Sequence, residues 1–255
     1  MNALNVQESA AQRGGISSDM LKLIAMVTMV IDHVGASLFP SVTVLRLMGR
    51  IAFPIYVWLL VMGFAYTSDL KKYLFRLGLF ALISEVPFDL AISGAMTFQW
   101  QNIYFTLFLS LLMIAVLKLV LDGDGAYAWV CAVLVIMAAM LIAEWLHFDY
   151  GSTGPVLAAV FYLYWRNQRP ELAVGFLVFS FSNMLEPVLN GRDLQSAAVW
   201  SSAFSTSLIE SFGLVAVPFI QRCNGRRKMR RGKVFFYLFY PLHLLILYGI
   251  RILFF

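Results

Sequence analysis

The 255-residue sequence predicts an all-α fold, a polytopic membrane helix bundle of about nine transmembrane helices with a cytoplasmic N-terminus and its C-terminus outside. Three observations lead there. Hydrophobic residues make up 61% of the chain and charged residues only 13%, against about 25% charge in a soluble domain; mean hydropathy is +0.79. So few charges could not cover a water-soluble globule of this length. The apolar runs are long and unbroken, whereas a membrane β-barrel would show short alternating segments. The basic residues gather at the ends of those runs, where topology signals sit, so the net charge of +5 does not point to nucleic acid.

The runs cover about 19–39, 44–66, 71–93, 101–120, 126–146, 151–165, 170–189, 196–220 and 233–254, each set against the roughly 20 residues of one span. The opening MNALNVQESAAQRGG is polar and lacks the layout of a cleaved signal peptide. Residues 1–18 are therefore expected to be a polar tail, and 19–255 a single integral domain with a basic loop at about 221–233. The sixth run is short, and Gly151, Gly154 and Pro155 mark it as a candidate broken or re-entrant helix. Nine alternating spans put Arg13, Lys22, Lys71, Lys72, Arg76, Lys118, Arg166, Arg169 and the seven charges of QRCNGRRKMRRGK on the side of the N-terminus. Only Arg46, Arg50, Arg192 and Arg251 fall opposite. Positive loops stay in the cytoplasm, which sets the orientation. The same rule counts the sixth run as a span, since dropping it alone would move the basic cluster outside. Cys131, in an apolar run, and Cys223, in the basic loop, suggest neither a disulfide nor a metal framework, and no metal is expected.

Ionisable groups at bilayer depth cost about 2.5–3.5 kcal/mol each on insertion scales, so they usually face the bundle interior and often act there. In MVIDHVGASLFP the first run carries Asp32 and His33. Lys22 lies eleven residues before His33, nearly the same helix face about 16 Å away. A histidine merely satisfied by a neighbouring helix is the competing reading. In LRLMGRIAFPIYVWLL, Arg46 and Arg50 are an i, i+4 pair, and Pro54 bends or opens the turn after Arg50. A guanidinium stays charged, so a part-buried Arg50 needs an anion: Asp32, Glu85, Asp89 or an anionic part of a substrate. The third run ends in FALISEVPFDLAI, where Glu85 and Asp89 share a face around Pro87. Two such carboxylates suit proton transfer, or an ion pair with Arg46 or Arg50. Gln101 and Asn102 open the fourth run as hydrogen-bond donors for an oxyanion or as interfacial residues beside Trp100. Asn183 and Glu186 lie towards the outer end of the seventh run. Tyr240 and His243, an i, i+3 pair, face one way in the ninth, and His147 reads as an interfacial residue. The pattern is a polar cluster in the outer half of the bundle with Lys22 below it on the cytoplasmic side.

The stretches LKLIAMVTMVIDHVG, GRIAFPIYVWLLVMGFAYTSDLKKYLFRLGLFALISEVPFDLA, QNIYFTLFL and FYPLHLLIL resemble the TraX family, that of the conjugative-pilin N-acetylase. They cover roughly the first 120 residues and the last 25. That family is in turn similar to the membrane acyltransferases that O-acetylate surface polysaccharides, which place a basic residue, ten intervening residues and then an essential histidine in the first helix. Lys22 and His33 fit that spacing, and RIAFP at Arg50–Pro54 loosely matches a second motif of the group. The resemblance implies an acetyl-CoA-dependent acyltransferase of the bacterial inner membrane. It would move an acyl group from cytoplasmic acyl-CoA to an amine or hydroxyl on an envelope acceptor such as pilin or a glycan. His33 would be the base, Asp32 or Glu85 the group that polarises it, and Lys22 would attract the anionic CoA. Arg50 would hold a carboxylate or the acceptor. Asp89, Asn102, Tyr240 and His243 would complete the substrate wall. The partners implied are acyl-CoA, the acceptor and the lipid bilayer, with no nucleic acid.

Two other functions fit the same residues. A proton-coupled transporter would use the buried histidine and carboxylates as a relay, but such carriers tend to show paired broken helices, and only one candidate is visible. A non-catalytic pilus or envelope assembly factor would tolerate changes in the polar cluster.

Overall fold

The computed structural model describes residues 15–123, 125–167, 175, 183–225 and 233–254. Residues 1–14 of the expected tail, most of the run at 170–189 and residues 226–232 of the basic loop lie outside the described residues. Among the described residues the secondary structure is helical, with no strand beyond two isolated bridges, Ile16 to Cys223 and Gln101 to Phe148.

Helix α1 (Ser18–Ser37) starts where the Ser17 hydroxyl accepts the Met20 N–H at 3.2 Å, with Asp19 in the first turn at the positive end of the helix dipole. The second apolar run forms two helices, α2 (Thr43–Gly49) and α3 (Ala52–Tyr66). Pro54 falls in the first turn of α3, where its missing N–H leaves no intrahelical bond unmade. Helix α4 (Leu70–Ser93) contains Pro87. Helix α5 (Ile103–Asp122) is capped by Asn102, whose side chain accepts the Tyr104 N–H at 3.0 Å. There follow α6 (Ala128–Trp145), α7 (Thr153–Asn167), the short α8 (Glu186–Leu189), α9 (Ala197–Ser211), α10 (Val217–Gln221) and α11 (Lys233–Phe254).

Six helical stretches among the described residues are long and apolar enough to cross a membrane: α1, α2 with α3, α5, α6, α9 with α10, and α11. Helix α4 has the length, 24 residues or about 36 Å, but carries Lys71, Lys72, Arg76, Glu85 and Asp89. Helix α7, with 15 residues, is shorter than the roughly 20 of a full span.

The helices fall into two compact units, Met1–Met62 with Val86–Met96 and Phe212–Phe255, and Gly63–Glu85 with Thr97–Ser211. In the first, α1 packs on α2 and on α11. Near its start, the Lys22 ammonium sits 4.7 Å above the Phe236 ring; further on, His33 meets His243 at 2.7 Å. The contacts advance in the same sense along both helices, so α1 and α11 run parallel. The last turn of α4 is bound at the far end of both. Ser37 Oγ donates to the Ala91 carbonyl at 2.8 Å, and Arg251 donates to the Ala91 and Ile92 carbonyls at 3.4 Å. These donors satisfy carbonyls that a helix C-terminus leaves without partners. Two glycines allow α1 and α2 their approach. A Cβ on Gly35 would lie 2.8 Å from Leu45 Cβ, and one on Gly49 would overlap the Asp32 side chain.

In the second unit α5, α6 and α7 pack on one another. The Thr106 hydroxyl donates to the Asp149 carbonyl at one end; at the other, Arg166 pairs with Asp122 and donates to the Leu121 carbonyl at 2.9 Å. Helix α7 therefore runs beside α5 for most of its length. On α6 the small residues Ala132, Ala139 and Ala143 are buried while Val133, Leu134, Met137 and Leu141 are exposed. Small residues inside and large apolar ones outside is the pattern of a helix packed in lipid, where side chains gain nothing from leaving the tails and close backbone contact dominates.

Candidate functional site

Asp32 and His33 are neighbours in sequence but serve different partners. The last two turns of α1 carry both, and both are buried. The Asp32 carboxylate receives Arg50 Nη2 on Oδ1 at 2.7 Å and Arg46 Nη1 on Oδ2. Arg46 also reaches the Asp32 carbonyl at 3.4 Å, and Arg50 Nε donates to the Arg46 carbonyl at 3.4 Å. The break after α2 places this second arginine: Gly49 gives Asp32 its space, and Arg50 is the residue at which the helix ends. Of the anions open to Arg50 in the sequence, the structure supplies Asp32.

The His33 ring turns to α11. Its Nδ1 lies 2.7 Å from His243 Nε2, and His243 Nδ1 lies 2.9 Å from the Phe239 carbonyl oxygen. The Tyr240 ring stands edge-on to both imidazoles, at 5.9 Å from His33 and 5.6 Å from His243 between centroids. Phe239 stacks on His243 at 5.1 Å. His33, Tyr240 and His243 are all buried. Two imidazoles hydrogen-bonded to each other inside an apolar bundle can accept, hold and pass on a proton, because each ring nitrogen changes role between donor and acceptor with protonation.

Lys22, eleven residues earlier on α1, is engaged by Asp19 at 3.2 Å as well as by Phe236. Its side chain remains 24% exposed. Asp89 is buried in the first unit.

Glu85 and Asn102 are brought together in the second unit. Asn102 donates its backbone N–H to Glu85 Oε2 at 3.2 Å, and its side-chain amide donates to Glu85 Oε2 and, at 2.8 Å, to the Ala81 carbonyl. The amide that the sequence offered to an oxyanion thus caps α5 and binds a carboxylate at the positive end of that helix. His147 packs edge-on against Trp100 at 5.6 Å, and its carbonyl accepts the Gln101 N–H at 2.9 Å. Glu186 pairs with Arg192 at 2.8 Å. The side chain of Asn183 lies outside what is described.

Three participants were under-weighted in the sequence: Arg46 as a second ligand of Asp32, Gly49 as its seat, and His243 as the direct partner of His33. The i, i+4 spacing of Arg46 and Arg50 was a usable signal for the first. Nothing in the sequence identifies α11 as the neighbour of α1. Among the described residues no group of three or more His, Cys, Asp or Glu side chains converges as a metal site.

A family model described as TraX protein matches residues 17–251. The chain is 29% identical over 246 residues to the probable fimbrial assembly protein FimC, serogroup H1, of Dichelobacter nodosus, covering 91% of this chain and 94% of that protein. A stretch of 38 residues is 47% identical to the uncharacterized protein RP591 of Rickettsia prowazekii (strain Madrid E), 15% of each chain. No solved structure matches significantly.

Proposed function

The chain belongs to the TraX family, and on that footing we propose that it is a membrane-embedded acyltransferase moving an acyl group, acetyl foremost, from cytoplasmic acyl-CoA to an amine or hydroxyl of an envelope acceptor. The observation that carries the reading is the buried His33–His243 pair, 2.7 Å between ring nitrogens. Ionisable residues at bilayer depth are costly and tend to mark proton or substrate pathways, which supports a proton-handling role for this pair.

The chemistry asks for little more. An amine must lose a proton to become a nucleophile, and a hydroxyl must lose one as it attacks. His33 takes that proton while the new N–C or O–C bond forms at the thioester carbonyl. The C–S bond then breaks, and the departing thiolate takes the proton back, returning His33 to its neutral state. Arg46 and Arg50 fix the end of α1 through Asp32. Lys22, about 16 Å back along α1, marks the cytoplasmic side from which CoA would approach. The relative named as a fimbrial assembly protein directs the acceptor towards pilin or a pilus-associated glycan.

The same proposal includes nine spans in a bacterial inner membrane, N-terminus inside and C-terminus outside. Parallel α1 and α11 support an odd number of crossings, since two helices that leave the same side must be separated by complete returns. The passage of α7 beside α5, ending at Asp122, supports the short helix as a crossing.

That relative's name also favours a second reading, an assembly factor without catalysis. One experiment separates the two: transfer of labelled acetyl groups from acetyl-CoA to envelope material, in membranes holding wild type or His33→Ala at matched expression. Label gained with wild type and lost with the variant supports the acyltransferase. Equal incorporation in both refutes the role of His33. If pilus assembly depends on the wild type without any label entering, and His33→Ala supports assembly equally well, the assembly factor is the correct reading.

A further inference from the structure

We infer that His243 is a positioning residue that fixes the tautomer of His33, and that Nε2 of His33 is therefore the atom that takes the acceptor's proton. The inference rests on the acyl-transfer reading for its chemical meaning, but its geometric half does not.

The argument follows hydrogens along three atoms. The Phe239 carbonyl oxygen has no hydrogen to give, so the 2.9 Å contact with His243 Nδ1 requires the hydrogen on that nitrogen. Neutral imidazole carries one N–H, so His243 Nε2 holds a lone pair and can only accept. The group 2.7 Å away is His33 Nδ1, which must then be the donor. His33 is thereby held as its Nδ1–H form, and its lone pair is on Nε2, for which no hydrogen-bond partner is found among the described residues. Free imidazole side chains in water prefer the opposite form, so the protein selects the less common one. The Phe239 ring, stacked on His243 with 12° between planes, holds the second imidazole in the orientation that makes the chain of bonds.

The carboxylate next door does not do this work. Asp32 is occupied by Arg46 and Arg50, so the orienting group behind His33 is a neutral imidazole. The difference has a chemical consequence. When Nε2 takes a proton, the Nδ1 hydrogen sits in a short bond to a group that can itself accept it, so the positive charge is shared over two rings instead of being neutralised by an anion. The proton is then returned to the thiolate through Nε2, and no net charge accumulates.

Two measurements test this. The chain has three histidines, so histidine-selective ¹³C and ¹⁵N labelling of the protein in lipid, with single variants for assignment, reads each tautomer by solid-state NMR. A neutral His33 with its hydrogen on Nδ1 is expected; hydrogen on Nε2 overturns the inference. In the transfer assay, His243→Gln keeps an acceptor near the position of Nε2, whereas His243→Phe keeps bulk and removes the acceptor. The Gln variant is expected within about tenfold of wild-type kcat, and the Phe variant about 10²-fold or more below it with KM unchanged, the scale of general-base assistance. Equal losses in the two variants, or losses expressed in KM, would make His243 a packing residue and overturn the positioning role. An Nδ1–H spectrum from a wild type that transfers no label would support the hold of His243 on the tautomer and overturn the acyl-transfer reading.

Discussion

Removing the charge of Asp32 should destabilise the protein more than removing either arginine, and by a coupled amount. In the folded protein the Asp32 side chain is 11% exposed, Arg50 9% and Arg46 36%. Breaking a buried pair by deleting one partner costs about 3–5 kcal/mol, because the remaining charge stays buried without compensation. A pair with one end more than a third exposed is worth about 1 kcal/mol or less. Asp32→Asn removes the carboxylate that Arg46 and Arg50 share, so its expected cost is the full range of about 3–5 kcal/mol. Arg50→Met leaves Asp32 with Arg46 and should cost somewhat less; Arg46→Met should cost about 1 kcal/mol. For a chain of this size that translates to a fall in Tm of about 6–20 °C for Asp32→Asn and about 2–4 °C for Arg46→Met. The double variant Asp32→Asn with Arg50→Met should fall short of the summed losses by at least about 1 kcal/mol, since the two changes remove the two ends of one ion pair. Thermal unfolding of purified protein in detergent, followed by size-exclusion chromatography, measures all four. An Asp32→Asn variant that melts within 2 °C of wild type, or strict additivity in the double variant, would refute the buried ion cluster.

Three further expectations follow from particular contacts. Gly49→Ala puts a methyl into the space of the Asp32 side chain and should cost about 1–3 kcal/mol as an overpacked site, while Gly249→Ala, with nothing within 4 Å of the added carbon, should be neutral or slightly stabilising in the same melting assay. Asn102→Ala removes the cap of α5, one donor from Glu85 and the donor to the Ala81 carbonyl, for a combined cost of about 2–4 kcal/mol; Asn102→Asp, which restores the cap acceptor, should not recover stability because it sets a second carboxylate against Glu85. Fusions of a reporter active only outside the cytoplasm should be active after Phe254 and inactive after Gly123, and the reverse pattern would overturn the orientation.

The sequence carried the helices better than their neighbours. Runs read from apolar length came within two or three residues of α1, α5, α6 and α11, because lipid allows few alternatives to a closed helical backbone. The division of α2 from α3 was signalled by Pro54, and the i, i+4 pairs by periodicity alone. What remained open was always a matter of which helix touches which. Arg50 had three carboxylates within its reach by sequence, and it is the packing of α1 on α2 that brings Asp32 to it. The face that carries Tyr240 and His243 was visible, yet its partner lies 210 residues away on α1, and no local rule spans that separation. Asn102 and Glu85 show the converse: an amide and a carboxylate with plausible chemical roles are used together at the start of a helix.

The separation of the two histidines also bears on how the protein is made. Membrane helices enter the bilayer in the order of synthesis, and 210 residues divide His33 from His243. At about 5–20 residues per second, roughly 10–40 s pass between the two. During that interval α1 is in lipid with an imidazole that has not met its counterpart, and the nascent chain holds half of a hydrogen-bonded pair. The buried His33–His243 contact therefore forms only after α11 has been inserted and docked along α1.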